Sequence, residues 1–181
     1  MARKYRRFSP AQGATICIVG LRLGAVAWQL AIALTQYGLL LQVLLLLFAW
    51  FSFWFFVHDL THHIVGKLGG IRFQYYFLGR SAIRKLRLPL VSRVMERVPV
   101  LVLKVDRGSF AKASPRARRW MHASGALASM ILPWIIVPSS FMIRPLWVGI
   151  LFTMLVLGNV LFTLYFSPKT GDIYRARTVS G

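Results

Sequence analysis

Acidic side chains are almost missing from this chain. Its 181 residues hold four Asp and Glu against 23 Lys and Arg, a formal net charge of +19. Charge of either sign is scarce as well: 15% of residues are charged, where soluble domains carry about a quarter. That scarcity argues against a water-soluble domain. Cysteine occurs once, at Cys17, which excludes an intramolecular disulfide and a cysteine-rich metal site. No internal repeat and no low-complexity segment breaks the chain, so residues 1–181 read as a single domain.

What fills the chain is apolar. Hydrophobic residues make up 57%, and mean hydropathy is +0.60. A helix needs about 20 apolar residues to cross the hydrocarbon of a bilayer, and four segments qualify: 13–35, 39–66, 120–137 and 145–166. The fold class expected is an all-α polytopic membrane protein with about four transmembrane helices. Gln36-Tyr37-Gly38 reads as the turn between the first two, and Pro138-Ser139-Ser140 as the turn between the last two. The basic start, Arg3, Lys4, Arg6 and Arg7, resembles a signal-peptide n-region. The long apolar stretch behind it, with no small-x-small cleavage site, reads as a retained first membrane helix.

The basic residues order these segments. They precede the first span and are absent from the turn after it. Fourteen fall between Lys67 and Arg119, one (Arg144) lies before the fourth span, and Lys169, Arg175 and Arg177 follow it. Rich and poor sides alternate, so the positive-inside rule puts both termini and the central stretch 67–119 in the cytoplasm, with the chain in the plasma (inner) membrane. Charge clustered beside apolar segments points to anionic lipid headgroups rather than to nucleic acid. Within the central stretch, residues 70–77 and 98–105 alternate like strands, and the basic segment 80–97 between them reads as a short surface helix near the headgroups. Arg22, inside the first span, either snorkels to the headgroups or pairs with an acid.

His58-Asp59-Leu60-Thr61-His62, at the end of the second segment, carries the chemistry. Residues four apart share one helix face, so two imidazoles can reach one metal ion. The alternating topology brings Asp172 and His122 to the same side of the membrane. A catalytic zinc takes three protein ligands and keeps one position open. His58, His62 and Asp172 supply such a set, with Asp59 as the candidate base for a zinc-activated water. His63 faces another side of the helix and reads as structural. His122 is either a fourth ligand or a headgroup-facing residue.

Three segments together resemble the site-2 protease family of intramembrane zinc metalloproteases, over most of residues 50–176. His58-Asp-Leu-Thr-His62 is similar to the family's H-E-x-G-H helix, which runs into a glycine and then a strand. Gly125-Ala-Leu-Ala-Ser129 is similar to its G-P-L-A-N signature. Asn159 to Pro168, followed by Asp172, is similar to its N-x-x-P…L-D-G segment, whose Asp is the third zinc ligand. The resemblance implies cleavage of a membrane-embedded peptide by zinc-activated water. The departures are Asp59 for the catalytic Glu, Thr61 for the small residue before the second histidine, Ala126 and Ser129 for Pro and Asn, and Ile173 for the glycine after the third ligand. They leave open a proteolytically inactive accessory or assembly subunit of a larger membrane complex. A di-iron lipid oxidase is disfavoured, because its resemblance would call for about eight histidines and this chain has four.

Overall fold

A computed structural model describes residues 6–34, 38–80 and 99–179. Ser9 opens the first helix with a capping box: its hydroxyl accepts from the Gln12 amide, and the Gln12 side chain accepts from the Ser9 amide. Helix α1 (Pro10–Ala33) and helix α2 (Leu39–Leu68) form an antiparallel pair. Their contact is built from small residues. Gly13, Cys17, Gly20, Gly24, Ala27 and Ala31 recur every three or four positions on α1 and are all buried. Helices in hydrocarbon gain little from burying apolar surface and depend on close packing, which such a stripe permits. A side chain at Gly24 would run into Ser52, and one at Gly20 into Phe56. The Gln42 amide, buried in the same seam, donates to the Ala31 carbonyl at 3.0 Å.

Four helical stretches are long and apolar enough to cross a membrane: Pro10–Ala33, Leu39–Leu68, Pro115–Met142 and Trp147–Thr170. The chain is thus an all-α polytopic protein with a small sheet. At about 1.5 Å per residue, the first 20 residues of α2 already match a hydrocarbon thickness of about 30 Å. His58 and the turns after it therefore lie near the edge of the apolar layer. Helix α2 ends at Gly69 and Gly70. Gly70 has φ of 77°, which a side-chain-bearing residue rarely adopts, and it turns the chain into the sheet.

The sheet has three antiparallel strands in the order β1 (Arg7–Phe8), β2 (Phe73–Arg80), β3 (Pro99–Val105). Arg7 pairs with Phe77 and Phe8 with Tyr76, while β2 and β3 pair from Phe73 with Val105 to Arg80 with Pro99. The strand pattern expected over 70–77 and 98–105 thus starts later in β2 and extends to Arg80. The surface helix expected over 80–97 falls outside the described residues, apart from Arg80, which ends β2. The turn expected at Gln36-Tyr37-Gly38 also falls outside them, apart from Gly38. The strand β1 joins the N-terminal end of the chain to this layer, and short helix α3 (Arg107–Lys112) follows β3, its Asp106 cap accepting from the Ser109 amide.

The third span starts earlier than its hydropathy suggests. Helix α4 (Pro115–Ile131) begins at Ser114, whose hydroxyl accepts from the Ala117 amide, with proline at the first helical position. Basic first turns hid this start from an apolar window. A 3-10 turn at Leu132–Ile135 leads into helix α5 (Ile136–Met142). Pro138-Ser139-Ser140 is therefore helical and not the expected turn. Pro138 lies in the first turn, where its missing N–H costs no helical bond. Both serines are satisfied: Ser140 donates to the Val137 carbonyl, and Ser139 accepts from the Trp28 indole at 3.0 Å. The turn falls instead between Met142 and helix α6 (Trp147–Thr170). Helix α6 outlasts the expected end at 166 and is followed at Gly171 by helix α7 (Asp172–Thr178). Arg22 is exposed on the outer face of α1, among Ile18, Val19, Leu23 and Val26.

Candidate metal centre

The site lies where α2, α4 and α7 meet. Helix periodicity puts His58 and His62 on one face of α2, and both rings point toward Asp172, the first residue of α7. His58 Nε2 stands 3.3 Å from His62 Nε2. Asp172 Oδ2 stands 3.1 Å from His58 Nε2 and 3.5 Å from His62 Nε2. A tetrahedral ion with bonds of about 2.0–2.1 Å holds neighbouring donor atoms about 3.3–3.4 Å apart. The three edges of this triangle bracket that value. Among the described residues, these three form the one cluster of His, Cys, Asp and Glu able to share an ion.

The far side of each ring argues for the same chemistry. His62 Nδ1 sits against the Met121 carbonyl oxygen. A carbonyl only accepts, so Nδ1 carries the proton and a neutral His62 presents a bare lone pair at Nε2. That lone pair faces the Asp172 carboxylate and His58 Nε2. Atoms converging at these distances repel one another unless a proton or a metal ion lies between them; a proton on His58 Nε2 bridges that ring to the carboxylate, whereas a metal ion bridges all three. His58 Nδ1 is 3.5 Å from the Ser129 hydroxyl, which itself donates to the Ala126 carbonyl. The Asn159 amide donates to the Ser129 carbonyl at 2.8 Å and ties α6 to the back of the site. Outer partners of this kind fix the tautomer and aim of ligating histidines. The Thr61 hydroxyl turns back to its own helix, donating to the carbonyls of Val57 and His58, and leaves the site clear.

Asp172 is placed by the break between α6 and α7. The Ser167 hydroxyl accepts from the Ile173 amide at 3.1 Å and holds the start of α7 against the end of α6. Gly171 packs so closely on Ser167 that a β-carbon there would collide with it. Burial opposes ionisation of Asp172, but interaction with the His58 and His62 rings outweighs it and holds the carboxyl well below the usual carboxylate range. Arg175 flanks the other oxygen at 3.9 Å. His58 is about a third exposed at 34%, whereas His62 is 9% and Asp172 20% exposed. The triangle is therefore closed on its His62 side and open on its His58 side.

Asp59 is buried at 8% exposure. Among the described residues it makes no hydrogen bond or ion pair, with the two histidines or with any other group. It lies close enough to Tyr76 to influence it: burial first, then Cys17 and Asp59, push the phenol up from its ordinary value. His63 points away from the triangle and pairs with the Tyr76 hydroxyl at 2.9 Å. His122 is outside the triangle, its ring edge-on to Phe110 at 5.6 Å. Tyr76 is fully buried and His63 nearly so. Tyr76→Phe is expected to strand the imidazole and lower stability by about 1–3 kcal/mol, read as a shift in the thermal midpoint in detergent, with metal content unchanged.

Sequence reasoning missed Met121, Tyr76 and the seat of Asp172 at a helix start. Met121 acts through its backbone, which no side-chain pattern reveals. No protein-family model, no curated protein and no solved structure matches the chain.

Proposed function

We propose that this integral membrane protein is an intramembrane zinc metalloprotease of the site-2 type, with His58, His62 and Asp172 as zinc ligands and Asp59 as the base. The observation that carries the reading is the triangle of three converging ligand atoms, of tetrahedral dimensions and open on one side. Imidazole and carboxylate donors in that number suit zinc. Zinc bound there would supply Lewis acidity and lower the pKa of water. The protein's own part is to hold the ligand set rigidly through Met121, Ser129 and Asn159, to leave the His58 side open to a peptide, and to take up the proton at the Asp59 carboxylate. The basic sheet side, by the positive-inside rule, faces the cytoplasm with both termini, so the substrate is a membrane-embedded peptide cut near that face.

A specific observation favours a second reading, a proteolytically inactive subunit of a membrane complex. Asp59 is one methylene shorter than glutamate, buried, and joined to neither histidine. A misplacement near 1 Å can cost about a hundredfold in rate. Asp59→Glu separates the two. An active protease with a shortened base gains cleavage of reconstituted transmembrane reporter peptides, by up to about a hundredfold. A protein that holds stoichiometric zinc yet cuts no reporter in either form is the inactive subunit. Failure to bind zinc under any loading condition overturns the protease reading and leaves the inactive subunit.

A further inference from the structure

Beside the metal centre, and separate from it, runs a groove of about 900 Å³ between the start of α4 and helix α7. Its rim carries Arg116 and Arg119 from α4 and Arg177 from α7, and among the described residues no acidic side chain lines it. Its floor is apolar, with Ile173 and Ala176 from α7, and Trp120 stands at its edge, 53% exposed. The groove lies at the end of the third span, where α4 passes from basic first turns into its apolar length. A phosphate meets arginines there, acyl chains meet an apolar floor, and an indole sits at the depth that tryptophan favours in membranes. Arginine is the side chain best suited to the oxygens of a phosphate, through paired N–H donors.

We propose that this groove binds the headgroup of an anionic phospholipid, its phosphate held by Arg116 and Arg119 and its glycerol end resting on Ile173 and Ala176. Charge complementarity and position at the apolar boundary select a lipid over a soluble anion. A free phosphate would use the arginines but leave the apolar floor uncovered. The site owes nothing to the zinc reading, and its test reads no activity.

Trp120 reports occupancy directly. The full-length protein is reconstituted in phosphatidylcholine vesicles containing a minor fraction of phosphatidylglycerol brominated near the glycerol end of its chains, and quenching is compared with the same fraction of brominated phosphatidylcholine. The expected result is stronger quenching by the anionic lipid, with the excess lost in Trp120→Phe. At about 1 kcal/mol for each basic residue near the surface, Arg116→Gln with Arg119→Gln is expected to weaken the anionic preference by about thirtyfold. Arg107→Gln, which removes an exposed charge outside the groove, leaves it unchanged. Equal quenching by the two lipids, an excess that survives Trp120→Phe, or an excess that survives the double arginine variant overturns the proposal. Displacement of the anionic lipid by millimolar inorganic phosphate overturns it in favour of a soluble anion.

Discussion

Replacing His62 with alanine is expected to leave the purified protein without zinc and without proteolysis. Three ligands are the minimum for a catalytic zinc site. Removing a partner that only orients a ligand already costs about 10–100-fold in affinity, and losing a ligand outright costs more. Of the three candidate ligands, His62 also has the most to lose structurally. It is nearly buried and donates to the Met121 carbonyl. His62→Ala also removes that bond, although the Met121 carbonyl keeps the Ser124 hydroxyl as a donor, at a further cost of about 0.5–1.5 kcal/mol in stability. His58→Ala removes the same zinc but, from a ring about a third exposed, with a smaller loss of stability. Elemental analysis after purification without chelators, paired with thermal unfolding, separates the two effects. His122→Ala is the control and is expected to keep its zinc, since the His122 ring packs on Phe110 outside the triangle. Zinc retained in both His58→Ala and His62→Ala would mean that the ion is held elsewhere.

The four spans were legible because hydropathy and the count of lysines and arginines are independent signals that agree. The triangle of candidate ligands was legible in part. The spacing of His58 and His62 fixes them on one face of any helix, and alternating topology brings Asp172 to their side of the membrane. What the sequence concealed was of two kinds. Helix ends moved wherever capping outweighed hydropathy. Ser114 started α4 ahead of its apolar stretch, and Pro138, harmless in a first turn, failed to stop α5. Backbone partners stayed hidden because a carbonyl such as that of Met121 belongs to no residue type. One signal was present and went unread. The small residues of α1, from Gly13 to Ala31 at spacings of three and four, announce a close helix contact, and its glycines meet Phe56 and Ser52 of α2 and Tyr76 of the sheet.

Gly125 makes the same point at the site and gives the sharpest test of how the ligands are held. Helix α4 crosses α2 so closely at Gly125 that a β-carbon there would fall on the His62 ring, meeting Nε2, Cδ2 and Cε1 at once. The ring has nowhere to retreat. Its other nitrogen is fixed by the Met121 carbonyl, one helical turn earlier on the same α4, so moving α4 outward pulls that partner away too. Gly125→Ala adds a single methyl group to a buried helix, a change that raises helix propensity and in an open site would be neutral or stabilising. Here it is expected to tilt His62 out of the triangle and to lower zinc affinity by at least the 10–100-fold typical of lost orienting partners. The helices should remain folded, as seen in an unchanged far-ultraviolet circular dichroism spectrum. Competition with a zinc chelator reads the affinity. An affinity within a few-fold of the parent would show that the His62 ring does not stand where α4 and α2 cross, and would remove the geometric basis of the metal site.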